Sequence, residues 1–167
     1  MSVERRYNVL FLCTGNSARS ILAEAYLNNS AGHQFRAFSA GSHPKGAIHP
    51  ITLDTLRIAH LPIADLRSKS WDEFAKPDAP KMDFVITVCD SAAGEVCPVW
   101  PGQPITAHWS FPDPAAFAGP EVEQSAFFLD VFRQIRTRLD IFCNLPLPRL
   151  GRLVLKHELD AIGRAPG

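Results

Sequence analysis

The chain has 167 residues, enough for one domain with a sizeable buried core, and its 17 lysines and arginines balance 17 acidic residues. That balance gives no footprint for nucleic acid or for an anionic membrane surface. No apolar run approaches a membrane span and the first residues carry no apolar leader, so a cytoplasmic location is expected, where the four cysteines suit catalytic, redox or metal roles better than a static disulfide framework.

Tyr7 to Leu12 is a short apolar run of strand-favouring residues, and Ile21 to Leu27 carries good helix formers with Leu22, Tyr26 and the alanines sharing a face. Between them lies Cys13-Thr14-Gly15-Asn16-Ser17-Ala18-Arg19-Ser20. A helix start leaves backbone N–H groups unpaired and aimed at one point, with the helix dipole adding positive charge, so Thr14, Gly15, Asn16, Ser17 and Ala18 are predicted to cradle an anion. Cys13 opens this loop and Arg19 closes it, with five residues between. A thiol that titrates at about 8.5 in water falls beside a guanidinium and a helix N-terminus, so Cys13 is expected to be largely thiolate at neutral pH. Arg19 offers a planar fork of donors for a tetrahedral oxyanion, and Ser20 can donate to the sulfur. Gly15 leaves the anion unobstructed and tolerates the backbone angles of a tight cradle.

Asn28 to Gly32 is a stop signal, and Gln34 to Ala40 alternates as a second strand. Gly41 to Gly46 reads as a loop. Pro50 to Ala59 then reads as a helix opened by Pro, with Ile51, Thr55, Ile58, Leu53 and Leu56 on its buried side. Ser70 to Phe74 looks like a short helical turn capped by Ser70. Phe84 to Val88 is a third strand ending at Cys89, which places this thiol at the same carboxyl rim of the sheet as Cys13. Seven residues separate Cys89 from Cys97, mostly small and helix-tolerant, and Pro98 and Pro101 then break any helix. Three readings stay open here: incidental cysteines, a metal site with His108, and a thiol relay. The spacing does not match the close pairs of zinc sites, and no metal ligands are assigned.

Ile105 to Trp109 is a short fourth strand, running into a loop where Pro112 and Pro114 hold Asp113 extended. A carboxyl so placed could serve as a general acid. Glu121 to Asn144 is the longest helix, with Phe128, Val131, Phe132, Ile135, Leu139 and Phe142 on one face and Arg133, Gln134, Arg136 and Arg138 largely opposite. Cys143 falls in that pattern as a core or near-core residue. Leu145 to Pro148 interrupts, and Leu150 to Ile162 resumes helical spacing. Strands alternating with helices predict an α/β domain with a parallel sheet.

With the Cys13 to Arg19 loop, the Cys89 and Cys97 pair, and Asp113-Pro114-Ala115 in that order, residues 7 to 142 resemble arsenate reductases of the low-molecular-weight phosphotyrosine phosphatase superfamily. The resemblance implies a single-domain, three-layer fold: a four-stranded parallel sheet flanked by helices over residues 1–145, with residues 146–167 a C-terminal helical extension packed on it. Two departures favour reductase over phosphatase. Ala18 stands where the phosphatase loop carries a second Cys, and Ala115 follows Asp-Pro where phosphatases carry Tyr, leaving nothing to grip a phenol.

The resemblance further implies that Cys13 attacks arsenate, Asp113 protonates the departing oxygen, Cys89 attacks Cys13 to release arsenite, and Cys97 resolves the disulfide. No bound cofactor is implied. The partners are arsenate or phosphate and an external reductant, either thioredoxin or glutathione with glutaredoxin; no nucleic acid or membrane is expected. The alternative is a phosphomonoester phosphatase working through a Cys13 phosphoenzyme. Some family members bind potassium through residues that fall on Asn16, Glu24 and Ser39, but the fourth position is Lys69, so a fixed ammonium is expected in place of the ion.

Overall fold

Four short segments pair side by side; the two central ones are apolar on both faces, while the edge strands alternate and turn Arg36, Thr106 and His108 to solvent. They are β1 (Tyr7–Cys13), β2 (Phe35–Gly41), β3 (Phe84–Thr87) and β4 (Ile105–His108), all parallel, in the order β2-β1-β3-β4. The computed structural model describes residues 5–89 and 100–164. Cys97 and the stretch around it lie outside the described residues.

The central strand β1 is buried from Val9 to Cys13 and splits its side chains between two cores. Val9 and Phe11, with Phe84 and Ile86, face a layer made by α1 (Arg19–Ser30), α3 (Glu121–Cys143) and α4 (Arg152–Arg164). Leu10, Leu12, Ala40 and Val85 face the opposite layer, where Phe74, Met82 and Trp100 cover them. This gives the three-layer α/β fold with a four-stranded parallel sheet that the sequence pattern predicts. Among the described residues, no helix is long and apolar enough to cross a membrane.

The second helix, α2 (Pro50–Ile58), buries Ile51, Thr52, Thr55 and Leu56. Ile58 is corrected: it shares the face of Ile51 and Thr55 by periodicity yet is 61% exposed, because it is the last residue of a short helix. Arg138 is a second correction. It sits on the inner side of α3, buried, with Nη1 donating to Ser110 O at 2.8 Å and its guanidinium 4.6 Å from the Phe111 ring centroid. A sequence pattern assigns charge to the solvent side, but a local carbonyl and an aromatic face let this cation stay inside.

The C-terminal helix α4 packs on the edge strand β4. Leu155, Leu159 and Ile162 join the main core, and the buried Trp109 indole donates to Leu159 O at 2.9 Å. Lys156 Nζ reaches Thr106 O at 2.6 Å, and Arg152 Nη2 reaches Gln103 O at 2.8 Å. The helix thereby occupies the Thr106 carbonyl of β4 and the Gln103 carbonyl just before it, at an edge that would otherwise be a template for another chain.

Candidate active site

The site forms where β1 ends and α1 begins, at the carboxyl edge of the sheet. No side chain caps α1: its N-cap is Ala18, and no acidic residue lies in the first turn. The N–H groups of the first turn therefore remain available to an anion, with the helix dipole behind them. Asn16 adopts a left-handed φ of 46°, a conformation that Asn tolerates better than most residues. Its buried side chain fixes the cradle from below, donating to Ser20 Oγ at 2.8 Å and Ser39 Oγ at 3.0 Å and accepting from Lys69 N–H at 2.9 Å. Gly41 must lack a side chain here, since a Cβ would stand 2.5 Å from Thr14 O.

Cys13 and Cys89 are both buried, and the Cys89 thiol lies close enough to act on that of Cys13. Cys89 Sγ also accepts the Thr14 N–H at 3.2 Å. The neighbouring thiol and burial push the Cys13 thiol well above its ordinary range, against the opposing pull of Arg19 and of the Thr14 amide. The expected pull of Arg19 and the helix start toward a thiolate is thus opposed by burial and by a second thiol. A cation and a helix end can be read locally, whereas the opposing thiol comes from a distant strand.

Arg19 Nη1 donates to Phe111 O at 3.0 Å, and Nη2 lies 3.6 Å from Asp113 Oδ2. Its buried Nε has no hydrogen-bond partner among the described residues. Asp113 is half exposed, and its Oδ1 accepts the Ala115 N–H at 3.0 Å, which holds the carboxyl at the rim. Ser20 is buried, and its Oγ accepts from Asn16 Nδ2, a contact that ties it to the scaffold of the loop.

Cys13, Thr14, Gly15, Ser17, Ala18, Arg19 and Asp113 line one cavity of about 280 Å³. Asn16 lies beneath it as support. His43, Lys45 and Ala115 complete the lining. Sequence composition marked 41–46 only as a loop; the signal available was its position directly after the carboxyl end of β2. Cys97 lies outside the described residues, and Cys143, pushed up to about 11 by burial and then by Asp140, is on α3 and not part of this cavity. Among the described residues, no cluster of His, Cys, Asp and Glu suited to a metal ion is found.

A buried thiol at the mouth of a helix, an arginine fork and a rim carboxyl on a parallel α/β sheet define a cysteine-dependent enzyme for tetrahedral oxyanions. Residues 8–151 match the sequence profile of the family described as low molecular weight phosphotyrosine protein phosphatase. The chain belongs to that family. It is similar to an arsenate reductase of Bacillus licheniformis, 37% identical over 136 residues that span 81% of this chain and 94% of the relative. It is also similar to an arsenate reductase of Bacillus subtilis, 35% identical over 136 residues with the same coverage of both chains. Among solved structures, an arsenate reductase in its phosphate-binding state superimposes with a TM-score of 0.65 at 25% identity, covering 80% of this chain and 94% of the other. A thioredoxin-dependent arsenate reductase of Corynebacterium glutamicum gives 0.57 at 26% identity, covering 83% of this chain and 63% of that one.

Proposed function

We propose that this protein reduces arsenate to arsenite by a thiol relay. The observation that carries the reading is that Cys13, which lines the cavity with Arg19 and Asp113, has a second buried thiol, Cys89, beside it, held by the N–H of Thr14. A phosphatase needs one nucleophile; a second thiol in contact with it gives a covalent adduct a redox exit.

Arsenate enters the cradle and is held by the N–H groups of the loop and by Arg19, whose unpartnered Nε suits an anionic oxygen. Cys13 gives its proton to an oxygen of the bound arsenate dianion and attacks arsenic as a thiolate. Asp113 protonates the oxygen that leaves as water. Cys89 thiolate then attacks Cys13 Sγ. The arsenic–sulfur bond breaks with its electron pair staying on arsenic, so As(V) becomes As(III) and the two thiols become a disulfide. Cys97 attacks Cys89 and frees Cys13, and an external dithiol reduces the Cys89–Cys97 bond. Thioredoxin is the favoured donor because the Corynebacterium glutamicum relative is thioredoxin-dependent; glutaredoxin with glutathione is the other. A cytoplasmic location, where such donors are kept reduced, fits this reading.

The phosphatase alternative is the weaker reading, since among the described residues the lining of the cavity includes no Phe, Tyr or Trp to hold a phenol. The test is turnover of arsenate by the purified chain with each donor system, followed by mass spectrometry of single Cys→Ser variants after one turnover. Arsenite formation by the wild type, together with a Cys13 adduct trapped without arsenite release in Cys89→Ser, supports the relay. Phosphate ester hydrolysis without arsenite formation overturns it.

A further inference from the structure

The loop between β2 and α2 is tied to the anion cradle along its length. His43 N–H donates to Thr14 O at 2.9 Å, Lys45 N–H to Gly15 O at 3.0 Å, and His49 N–H to Ser17 O at 3.0 Å. Thr52 Oγ1 donates to the same Ser17 carbonyl at 2.9 Å. Ser68 Oγ donates to Gly15 O at 3.3 Å and accepts the Gly46 N–H at 3.2 Å. Lys45 is consequently fixed at its backbone while its side chain remains exposed.

That side chain lies across the opening. A Cβ built on Gly15 would meet Lys45 Cε at 3.3 Å, Cγ at 3.4 Å and Cδ at 3.5 Å, so the lysine stem covers the glycine whose bareness the anion needs. Lys45 lines the same cavity as Cys13, Arg19 and Asp113. Among the described residues, no carboxylate forms an ion pair with its ammonium. Its charge is felt nearby, since His49 is held below its ordinary range by burial first and by Lys45 second.

The need for a second cation follows from charge. Arg19 is already shared between Phe111 O and the Asp113 carboxyl, yet the cavity must admit a doubly charged oxyanion beside a sulfur that ionises. We propose that Lys45 is a further substrate-binding residue, its ammonium folding over Gly15 onto the tetrahedral dianion held by the cradle and Arg19. The inference rests on the oxyanion reading above and adds to it the group that captures the charge.

Protection of Cys13 from alkylation by inorganic phosphate measures oxyanion binding with no turnover. In the full chain, Lys45→Met is expected to weaken protection about tenfold, Lys45→Arg to stay within about twofold of wild type, and added salt to weaken wild type more than Lys45→Met. With arsenate, the loss in Lys45→Met falls on KM rather than on kcat. Unchanged phosphate protection in Lys45→Met, or an equal loss in Lys45→Arg, overturns the inference. Wild-type protein that phosphate fails to protect overturns it together with the oxyanion reading. Protection without arsenate reduction overturns the arsenate reading alone and leaves the Lys45 comparison decisive for its own claim.

Discussion

The backbone N–H of Thr14 donates to Cys89 Sγ at 3.2 Å, so the residue next to one thiol holds the other in place. The Cys89 thiol is also the foremost reason that Cys13 titrates high, ahead of burial. Removing that thiol leaves Arg19 and the helix start to act on Cys13 with less opposition. Cys89→Ala is therefore predicted to move the pH profile of Cys13 alkylation to lower pH, with faster alkylation at neutral pH. An unshifted profile in iodoacetamide kinetics would remove the thiol pair as the cause.

Asp113 does two things that one substitution separates. Its Oδ1 caps the turn at Ala115, while its Oδ2 faces Arg19 at 3.6 Å. An amide oxygen can keep the cap but cannot deliver a carboxylic proton. Asp113→Asn is predicted to lower kcat for arsenate by roughly 10²-fold to 10⁴-fold, the range for loss of a general acid, with little change in melting temperature. Equal losses in kcat and in thermal stability would assign Asp113 to the scaffold instead.

What could be read before the fold was known follows chain distance. The strand, loop and helix from Tyr7 to Leu27 announce an anion cradle because the Cys, the Gly and the Arg lie within one turn of chain. The rim position of Cys89 follows from strand periodicity alone. Its contact with Cys13 does not, and the ionisation of Cys13 was misjudged for that reason. Arg138 and Ile58 were misplaced because periodicity reports average polarity, whereas Ser110 O and the Phe111 ring decide one side chain and the end of a short helix decides the other. Lys45 carries no motif; only the folded loop brings it over Gly15.

The docking of α4 on β4 depends on a missing side chain. A Cβ at Gly163 would stand 2.6 Å from His108 O and 2.8 Å from Trp109 Cδ1, and a backbone carbonyl cannot move aside cheaply. Helix propensity favours Ala over Gly by roughly 1 kcal/mol, but overpacking of this kind costs about 1–3 kcal/mol. Gly163→Ala is predicted to lower stability in urea denaturation, while Gly151→Ala, where a Cβ meets nothing within 4 Å, is predicted to leave it unchanged. Stabilisation of the Gly163 variant would show that the helix end is not pressed against the strand.

Lys69 and Glu24 form a buried ion pair under the cradle, with Nζ 3.6 Å from Oε1, and Ser39 Oγ donates to that same oxygen at 2.6 Å. Burial pushes the Glu24 carboxyl up and the Lys69 ammonium down, with each charge opposing that shift in its partner. The fixed ammonium supplies the positive charge at Glu24, so exchange of sodium for potassium is predicted to leave arsenate turnover unchanged. Lys69→Met would strand the carboxylate in the interior, at a cost of roughly 3–5 kcal/mol. The folded carboxyl of that variant then titrates further above its unfolded value, so the penalty is full at pH above the folded pKa. It shrinks as pH falls and Glu24 takes up a proton in the fold. Urea midpoints of wild type and variant should therefore diverge at pH 8 and converge toward pH 5. A gap that is constant with pH would mean that Lys69 acts by packing, and a rise in wild-type turnover on adding potassium would show that the ammonium does not fill the cation's place.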